Sequence, residues 1–494
     1  MSPTISTLGE LKASGYQPRS IKQELRSNLV NILQQRKKVF EGIIGFDDTV
    51  LPDIERAVLS RHNILLLGLR GQAKTRIARL LVHLLDEYIP VVSGSELNDD
   101  PLQPISRFAL DLIAEMGDDT PVSWLHRQHR YVEKLATPDV SVADLIGDVD
   151  PIKAATLKLP YSDERVIHFG LVPHAHRCIF VINELPDLQA RIQVSLFNIL
   201  QEGDIQIRGF KLRLPLDIQF VFTANPEDYT NRGSIITPLK DRIESQILTH
   251  YPKTIEIARL ITRQEAQISP EQRQSITVPD LLEILLERLA FTARDSEWID
   301  AKSGVSARLS ISAYENLVST AERRMLINKE SKTIARITDF WGVVPAITGK
   351  VELVYEGEQE GPYQVAMHLL GTALKAMFLD HFPDPDKLKK RHQVDKDPYG
   401  VIRAWFAADN TLQLLIDASD EDFRKALDEV AGLRKLVEQT LKVSGEEAYP
   451  FMELVLHGLA ASNVLNKDYV EAGLSFRDLL AGMLNDTDFD DDDA

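Results

Sequence analysis

The sequence predicts an α/β fold, with a parallel sheet in the first half and a mainly helical second half. Three observations carry this reading. From residue 41 to about 250, short apolar runs (NILLLG, CIFVIN, IQFVFTAN) alternate with helical stretches, the pattern of βαβ units that feed a parallel sheet. After about 250 those strand signals give way to helical periodicities such as LLEILLERLAF and ISAYENLVSTAERRML. A chain of 494 residues, at about 150 per domain, has room for roughly two to four cores.

Along the chain, residues 1–40 read as a helical lead-in, because SIKQELRSNLVNILQQRKKVF spaces Ile21, Leu25, Leu29 and Leu33 four apart, as one amphipathic helix requires. The α/β core is expected over 41–252 and a helical appendage over 253–345. A mainly helical region over 346–485 contains YQVAMHLLGTALKAMFLDHF, EDFRKALDEVAGLRKLVEQTLK and PFMELVLHGLAAS, with VELVYEG at 351–357 as a possible strand. The polar, proline-bearing FPDPDKLKKRHQVDKDP is expected to be an exposed loop. Residues 486–494 hold six aspartates, which repel one another and bury nothing, so they are expected to be a disordered acidic tail. No internal repeat is visible.

Composition narrows the function. Hydrophobic residues make up 44% and charged residues 26%, an ordinary globular balance that excludes a fibrous or wholly disordered chain. No window reaches the length of about eighteen apolar residues that a membrane span needs, and MSPTISTLGELKAS lacks the basic flank and apolar run of an export signal. The single cysteine, Cys178, excludes an intrachain disulfide and a cysteine-rich zinc site and fits a reducing compartment, so a cytoplasmic location is expected. A formal charge of −18 makes the average surface repel a phosphate backbone, so nucleic acid is not the expected partner.

The segment NILLLGLRGQAKTRIARLLVHLLDEY has the layout of a phosphate-binding loop: an apolar strand, then Gly68, Leu69, Arg70, Gly71, Gln72, Ala73, Lys74, Thr75 and Arg76, then a helix. Such a loop needs glycines so that backbone N–H groups can face a phosphate, a lysine to reach the β- and γ-phosphates, and a hydroxyl for Mg²⁺. Ala73 stands where glycine is usual, and its methyl group is expected to require a negative φ. Ile77, Leu80, Leu81, Leu84 and Leu85 then follow with the spacing of a buried helical stripe.

Two further strand ends belong with this loop. CIFVINELPDL ends in Asn183 and Glu184, where a nucleotide hydrolase of this layout carries a carboxylate for Mg²⁺ followed by a general base. Asn183 can accept from a magnesium-bound water through its carbonyl oxygen, but it brings no charge, so weaker metal affinity is expected. IQFVFTANPEDY puts Asn225 at the same sheet edge, placed to orient a water beside a γ-phosphate. Open parallel sheets bind ligands outside the carboxyl ends of their strands, so the three signals are expected to converge.

With these residues, the region from about 41 to 325 resembles the AAA+ ATPases of the magnesium chelatase I subunit and MoxR group. GLRGQAKT looks like the MoxR form of the loop, in which alanine commonly replaces the last glycine, and DLIGDVDPIKAA followed by HFGLVPHAHRCIFVINEL is similar to the chelatase pattern. The resemblance implies an AAA+ phosphate-loop core over 41–252 and a helical lid over 253–345, with ATP and Mg²⁺ as cofactors and Thr75 and Asn183 on the metal side. It implies that Arg242 in TPLKDRIESQ is an arginine finger given to a neighbouring subunit, that Arg308 in GVSARLS is a second sensor, and that Ile44 and Gly45 contact adenine. It also implies a ring of copies, generally a hexamer, acting on a protein partner that often carries a von Willebrand A-type domain.

Other chemistry is weaker. His126 with His129, and His174 with His176, lack the carboxylates or cysteines of a recognisable zinc spacing. Neither a G-x-S-x-G elbow nor HExxH occurs. Four readings stay open: a ring ATPase that remodels a partner, the ATPase subunit of a metal chelatase, a nucleotide-gated scaffold with little turnover because of Asn183, and a transcriptional activator. The last is suggested by LFNILQEGDIQIRG, but the GAFTGA loop of such activators is absent and no basic helix-turn-helix closes the chain.

Overall fold

The computed structural model describes residues 4–160, 163–206, 213–226, 234–390, 397–470 and 473–479. The acidic tail expected at 486–494 lies outside them. The chain divides into two compact units, residues 1–251 and 252–494.

The first unit is built on a five-stranded, all-parallel sheet. Its strands are β1 Ile64–Leu67, β2 Tyr131–Leu135, β3 Cys178–Asn183, β4 Ile218–Ala224 and β5 Ser245–Leu248, in the order β5-β1-β4-β3-β2. Strands β1, β3 and β4 are buried along their whole length, which is why they read as unbroken apolar runs rather than as alternating ones. Alternate residues of these runs face two separate cores. Ile64, Leu66, Ile179, Val181 and Val221 meet Ile21, Leu25, Leu29, Ile54, Ile77 and Leu81 on one side. Leu65, Phe180, Ile182, Phe220 and Phe222 meet Leu185, Ile192, Leu196 and Ile199 on the other.

The helix at Ile21–Gln34 begins with a capping box made by Ser20 and Gln23, and its apolar stripe joins the sheet core. Leu33, the last residue of the predicted stripe, is instead exposed at 37%. Glu24, on the same buried face, forms a two-pronged ion pair with Arg130 (2.7 Å for each oxygen), so residues of the lead-in are joined to the segment that enters β2. Chain order across the sheet reverses at β1, which lies between β4 and β5. That reversal opens the carboxyl edge of β1 as the place for a ligand.

The second unit is mainly helical and shares one core from Ile276 to Phe476, so the stretches expected as lid and as C-terminal region pack together. Its long helices are Asp280–Arg294, Arg308–Ile327, Pro362–His381 and Ala448–Ala461. Two expectations are corrected here. VELVYEG is not a strand: Leu353 makes a single bridge to Ile299 and a helix starts at Tyr355, because YEGEQE offers no alternating apolar face. The expected loop at 382–398 contains a helix, Pro385–Lys390, whose first residue is a proline, favourable at that position; residues 391–396 lie outside the described ones. EDFRKALDEVAGLRKLVEQTLK forms two helices, Asp420–Glu429 and Leu433–Leu441, broken where Gly432 takes φ +82°. A three-stranded antiparallel sheet, Leu412–Leu415, Leu465–Val470 and Gly473–Asp478, had no counterpart in the sequence reading. Among the described residues, no helix is long and apolar enough to cross a membrane.

Candidate functional site

The carboxyl edge of β1, β3 and β4 gathers most of the predicted residues of the first unit. Gly68 follows β1, and its N–H donates to Ala224 at the end of β4 (3.1 Å). A Cβ at Gly68 would lie 1.9 Å from the Thr249 hydroxyl oxygen and 2.2 Å from Gln72 Oε1, so any larger residue would have to displace both side chains. Gln72 is buried with its side chain turned inward, accepting from the Thr249 hydroxyl (2.6 Å). Tyr251 donates its hydroxyl hydrogen to the Arg70 carbonyl (3.0 Å). The loop is therefore held from below by the chain leaving β5.

Gly71 takes φ +74°, and Ala73 takes φ +56° and ψ 14° immediately before the helix Lys74–Leu80. This corrects the expectation of a negative φ at Ala73. The loop keeps the left-handed turn that a glycine would make, and the alanine methyl group carries the strain. Ile77, Leu81, Leu84 and Leu85 are buried as predicted, although the α-helix ends at Leu80 and tightens into a 3₁₀ turn.

Lys74 is buried, and its ammonium donates to the carbonyls of Gly68 and Leu69 (3.0 Å to the latter) and to Asn225 Oδ1 (2.9 Å). Asn225 in turn donates from Nδ2 to Glu184 Oε2 (3.3 Å). Glu184 sits at φ +54° directly after β3, with its N–H on the Thr223 hydroxyl (3.2 Å). A non-glycine residue in that conformation is a local strain at a sheet edge, the kind found where a side chain is aimed for use. Asn183 Oδ1 accepts from the hydroxyls of Thr223 (3.1 Å) and Thr75 (3.5 Å). The structure thus brings Lys74, Thr75, Asn183, Glu184 and Asn225 into one hydrogen-bonded set.

Ile44 and Gly45 are half-buried in a turn where Gly45 has φ +83°. The turn stands near the end of β5, because Phe46 packs edge-on against His250 (4.9 Å) and the Thr49 hydroxyl meets His250 Nε2 (2.8 Å). Arg70 and Arg76 are exposed. Arg242 folds onto its own unit, donating to Gln201 Oε1 (2.9 and 3.1 Å) and the Pro238 carbonyl (2.7 Å), with its guanidinium 4.9 Å from the Phe197 ring centre. Arg308 belongs to the second unit, exposed at the first position of its helix, where the helix dipole gives a cation no local advantage.

The histidines do not assemble. His174 Nδ1 meets the Glu96 carbonyl (2.8 Å), and His176 Nδ1 accepts from the Asp217 N–H (3.0 Å). Burial lowers the pKa of His176 to about 4. His126 and His129 touch edge to face, with ring centres 6.4 Å apart. Among the described residues no group of three or more His, Cys, Asp or Glu is placed to hold a metal ion. Burial pushes the Cys178 thiol up to about 12, so it stays protonated.

Sequence reasoning missed Glu133. It lies on β2, and its carboxylate accepts from Asn183 Nδ2 and from Arg79 Nε and Nη2 (3.0 and 2.9 Å). YVEKL gives little warning, since its residues are partly buried and its strand stands at the edge of the sheet.

No family model matches the chain. Among solved structures it is similar to a protein of Cytophaga hutchinsonii whose ATPase activity is itself an assignment (17% identity over 73% of this chain and 97% of that one, TM-score 0.29). It is similar to the BchI and BchD subunits of magnesium chelatase (19% identity, 65% and 98%, TM-score 0.33). It is also similar to NtrX of Brucella abortus in complex with ATP (14% identity, 59% and 53%, TM-score 0.34).

Proposed function

We propose that this chain binds ATP with Mg²⁺ at the carboxyl edge of its parallel sheet and hydrolyses it, as a ring-forming AAA+ ATPase of the magnesium chelatase and MoxR type that remodels a protein partner. The observation that carries the reading is the single hydrogen-bonded set linking Lys74, Asn225 and Glu184 across the ends of β1, β4 and β3. In this reading, backbone N–H groups of residues 68–75 and the Lys74 ammonium hold the β- and γ-phosphates. Asn225 and Glu184 position the attacking water, and Glu184 takes its proton as the bond to the γ-phosphorus forms and the bond to the leaving ADP oxygen breaks.

The hard oxygen donors of Thr75 and Asn183, side by side and without sulfur or imidazole, fit magnesium. Bound there, Mg²⁺ would neutralise charge on the phosphate oxygens. Arg242 is proposed to leave Gln201 and Phe197 for a neighbouring copy's γ-phosphate, and Arg308 to report nucleotide state. Ile44 and Gly45 are assigned to the adenine. The partner class proposed is a protein with a von Willebrand A-type domain, and the ring a hexamer in the cytoplasm. A chelatase subunit would use the same site. The scaffold reading is favoured by one feature, the amide at Asn183.

The test is ATP binding by fluorescence and phosphate release at steady state, beside particle mass. Lys74→Ala is expected to lose binding. Glu184→Gln is expected to bind ATP but turn over about 10²- to 10⁴-fold more slowly. Unchanged ATP affinity in Lys74→Ala would overturn the proposal, and wild-type binding without turnover would favour the scaffold.

A further inference from the structure

The amide at Asn183 has a partner that changes its meaning. In the parallel register, Glu133 pairs with Val181 and Leu135 with Asn183, so Glu133 and Asn183 stand on the same face of the sheet, two residues apart along it. That face also carries the helix Lys74–Leu80, since Ile77 and Val181 share a core. The two oxygens of Glu133 are divided between two donors. Oε1 accepts from Asn183 Nδ2, and Oε2 accepts from Arg79, one helical turn beyond Thr75.

An ionised carboxylate can only accept hydrogen bonds, whereas an amide has one accepting and one donating end. Glu133 therefore holds the NH₂ end of Asn183. A flipped amide would set Oδ1 against a carboxylate oxygen, two acceptors in contact. The carbonyl end is consequently fixed on the Thr223 and Thr75 hydroxyls, the side where a cation held by Thr75 would sit.

We infer that Glu133 is a positioning residue of the magnesium site: it supplies, from the neighbouring strand, the carboxylate that makes an asparagine at 183 present an oxygen to the metal side. Asn183 is then one half of a matched pair, and its effect is set by residue 133. The inference rests on the nucleotide site proposed above.

The pair makes a reciprocal test. In Glu133→Gln, Arg79 keeps the oxygen of the new amide, so its NH₂ faces Asn183. Asn183 must turn, bringing its own NH₂ to the metal side. In Glu133→Gln combined with Asn183→Asp, that same NH₂ donates to the carboxylate at 183, and the pair is satisfied with its members exchanged. The measurement is Mn²⁺ affinity in the presence of ATP, by electron paramagnetic resonance, for wild type, each single variant and the double variant. ATP affinity in EDTA and melting temperature are measured beside it.

Glu133→Gln is expected to weaken Mn²⁺ binding about 10- to 100-fold when 183 is asparagine, the usual effect of losing a metal site's outer partner. The same change is expected to cost less than about 3-fold when 183 is aspartate. A loss of the same size in both backgrounds would reduce Glu133 to a brace for Arg79 and overturn the inference, as would no loss in either. If wild type fails to bind ATP in EDTA and with metal alike, the nucleotide site itself is refuted, and this inference with it. Intact ATP binding with an additive response refutes the pair alone.

Discussion

Replacing Ala73 by glycine tests the loop at its most strained point. Ala73 lies at φ +56°, half-buried, beside the core that contains Ile77 and Leu81. The left-handed conformation costs an L-residue about 1–2 kcal/mol, which glycine does not pay. Against that relief stand about 0.4–1 kcal/mol for the greater freedom of glycine in the unfolded chain and about 0.4 kcal/mol for half a buried methyl group. The balance for Ala73→Gly is between about −0.4 and about +1.2 kcal/mol of stabilisation. Ala73→Val adds a second branch to a position with positive φ and is expected to destabilise by about 1–2 kcal/mol. Hydrogen exchange of the amides at 64–81, followed by mass spectrometry on the full chain, reads both changes. Glycine should change protection by no more than about a 2-fold loss or an 8-fold gain, and valine should lower it by about 5- to 30-fold. If glycine speeds exchange while valine leaves it alone, residue 73 has an ordinary negative φ and the account of the loop is wrong.

Two further expectations concern the buried charges. Glu24 and Arg130 are both nearly inaccessible and joined at 2.7 Å through two contacts, so Glu24→Ala strands a guanidinium and should cost about 3–5 kcal/mol, read as a lower urea midpoint for the first unit. In the second unit, burial raises the Glu453 carboxyl to about 7 from an ordinary 4.5. Because the folded form holds the proton more tightly, this group's contribution is fully present below about pH 4.5 and is lost as pH rises through about 7, by about 3 kcal/mol in all. Melting between pH 5 and 8 should therefore show a falling component that disappears in Glu453→Gln, and an identical profile in that variant would remove Glu453 as its source.

The parts of the fold legible in the sequence are those whose signal is local. β1, β3 and β4 are continuous apolar runs because both faces of each are covered, and no ambiguity of period arises. β2 was invisible for the opposite reason: YVEKL stands at an edge, and two of its five residues are charged. The antiparallel sheet of the second unit escaped in the same way, since NKDYV and GLSFRD carry charges that a helix or loop would tolerate equally. The stretch at 382–398 was read as loop because it is polar and rich in proline, yet Pro385 stands at the first position of a helix.

The site shows the same division between local and non-local information. Lys74, Thr75, Glu184 and Asn225 could be found because each sits in a short segment whose flanking strand fixes where it must lie, and the sheet order then brings those segments together. Asn183 could be found but not interpreted. Read along the chain, it is a carboxylate replaced by an amide, and the inference from charge alone is a weakened metal site. Read across the sheet, its NH₂ is bound by a carboxylate from a strand 50 residues away, one of two strands of the sheet that the sequence did not show. A linear reading sees the lost charge but not the partner across the sheet. An amide facing water can turn either end to a cation, whereas the pairing inferred above has Glu133 hold the NH₂ end, so the proposed effect of an asparagine at 183 depends on residue 133 as well.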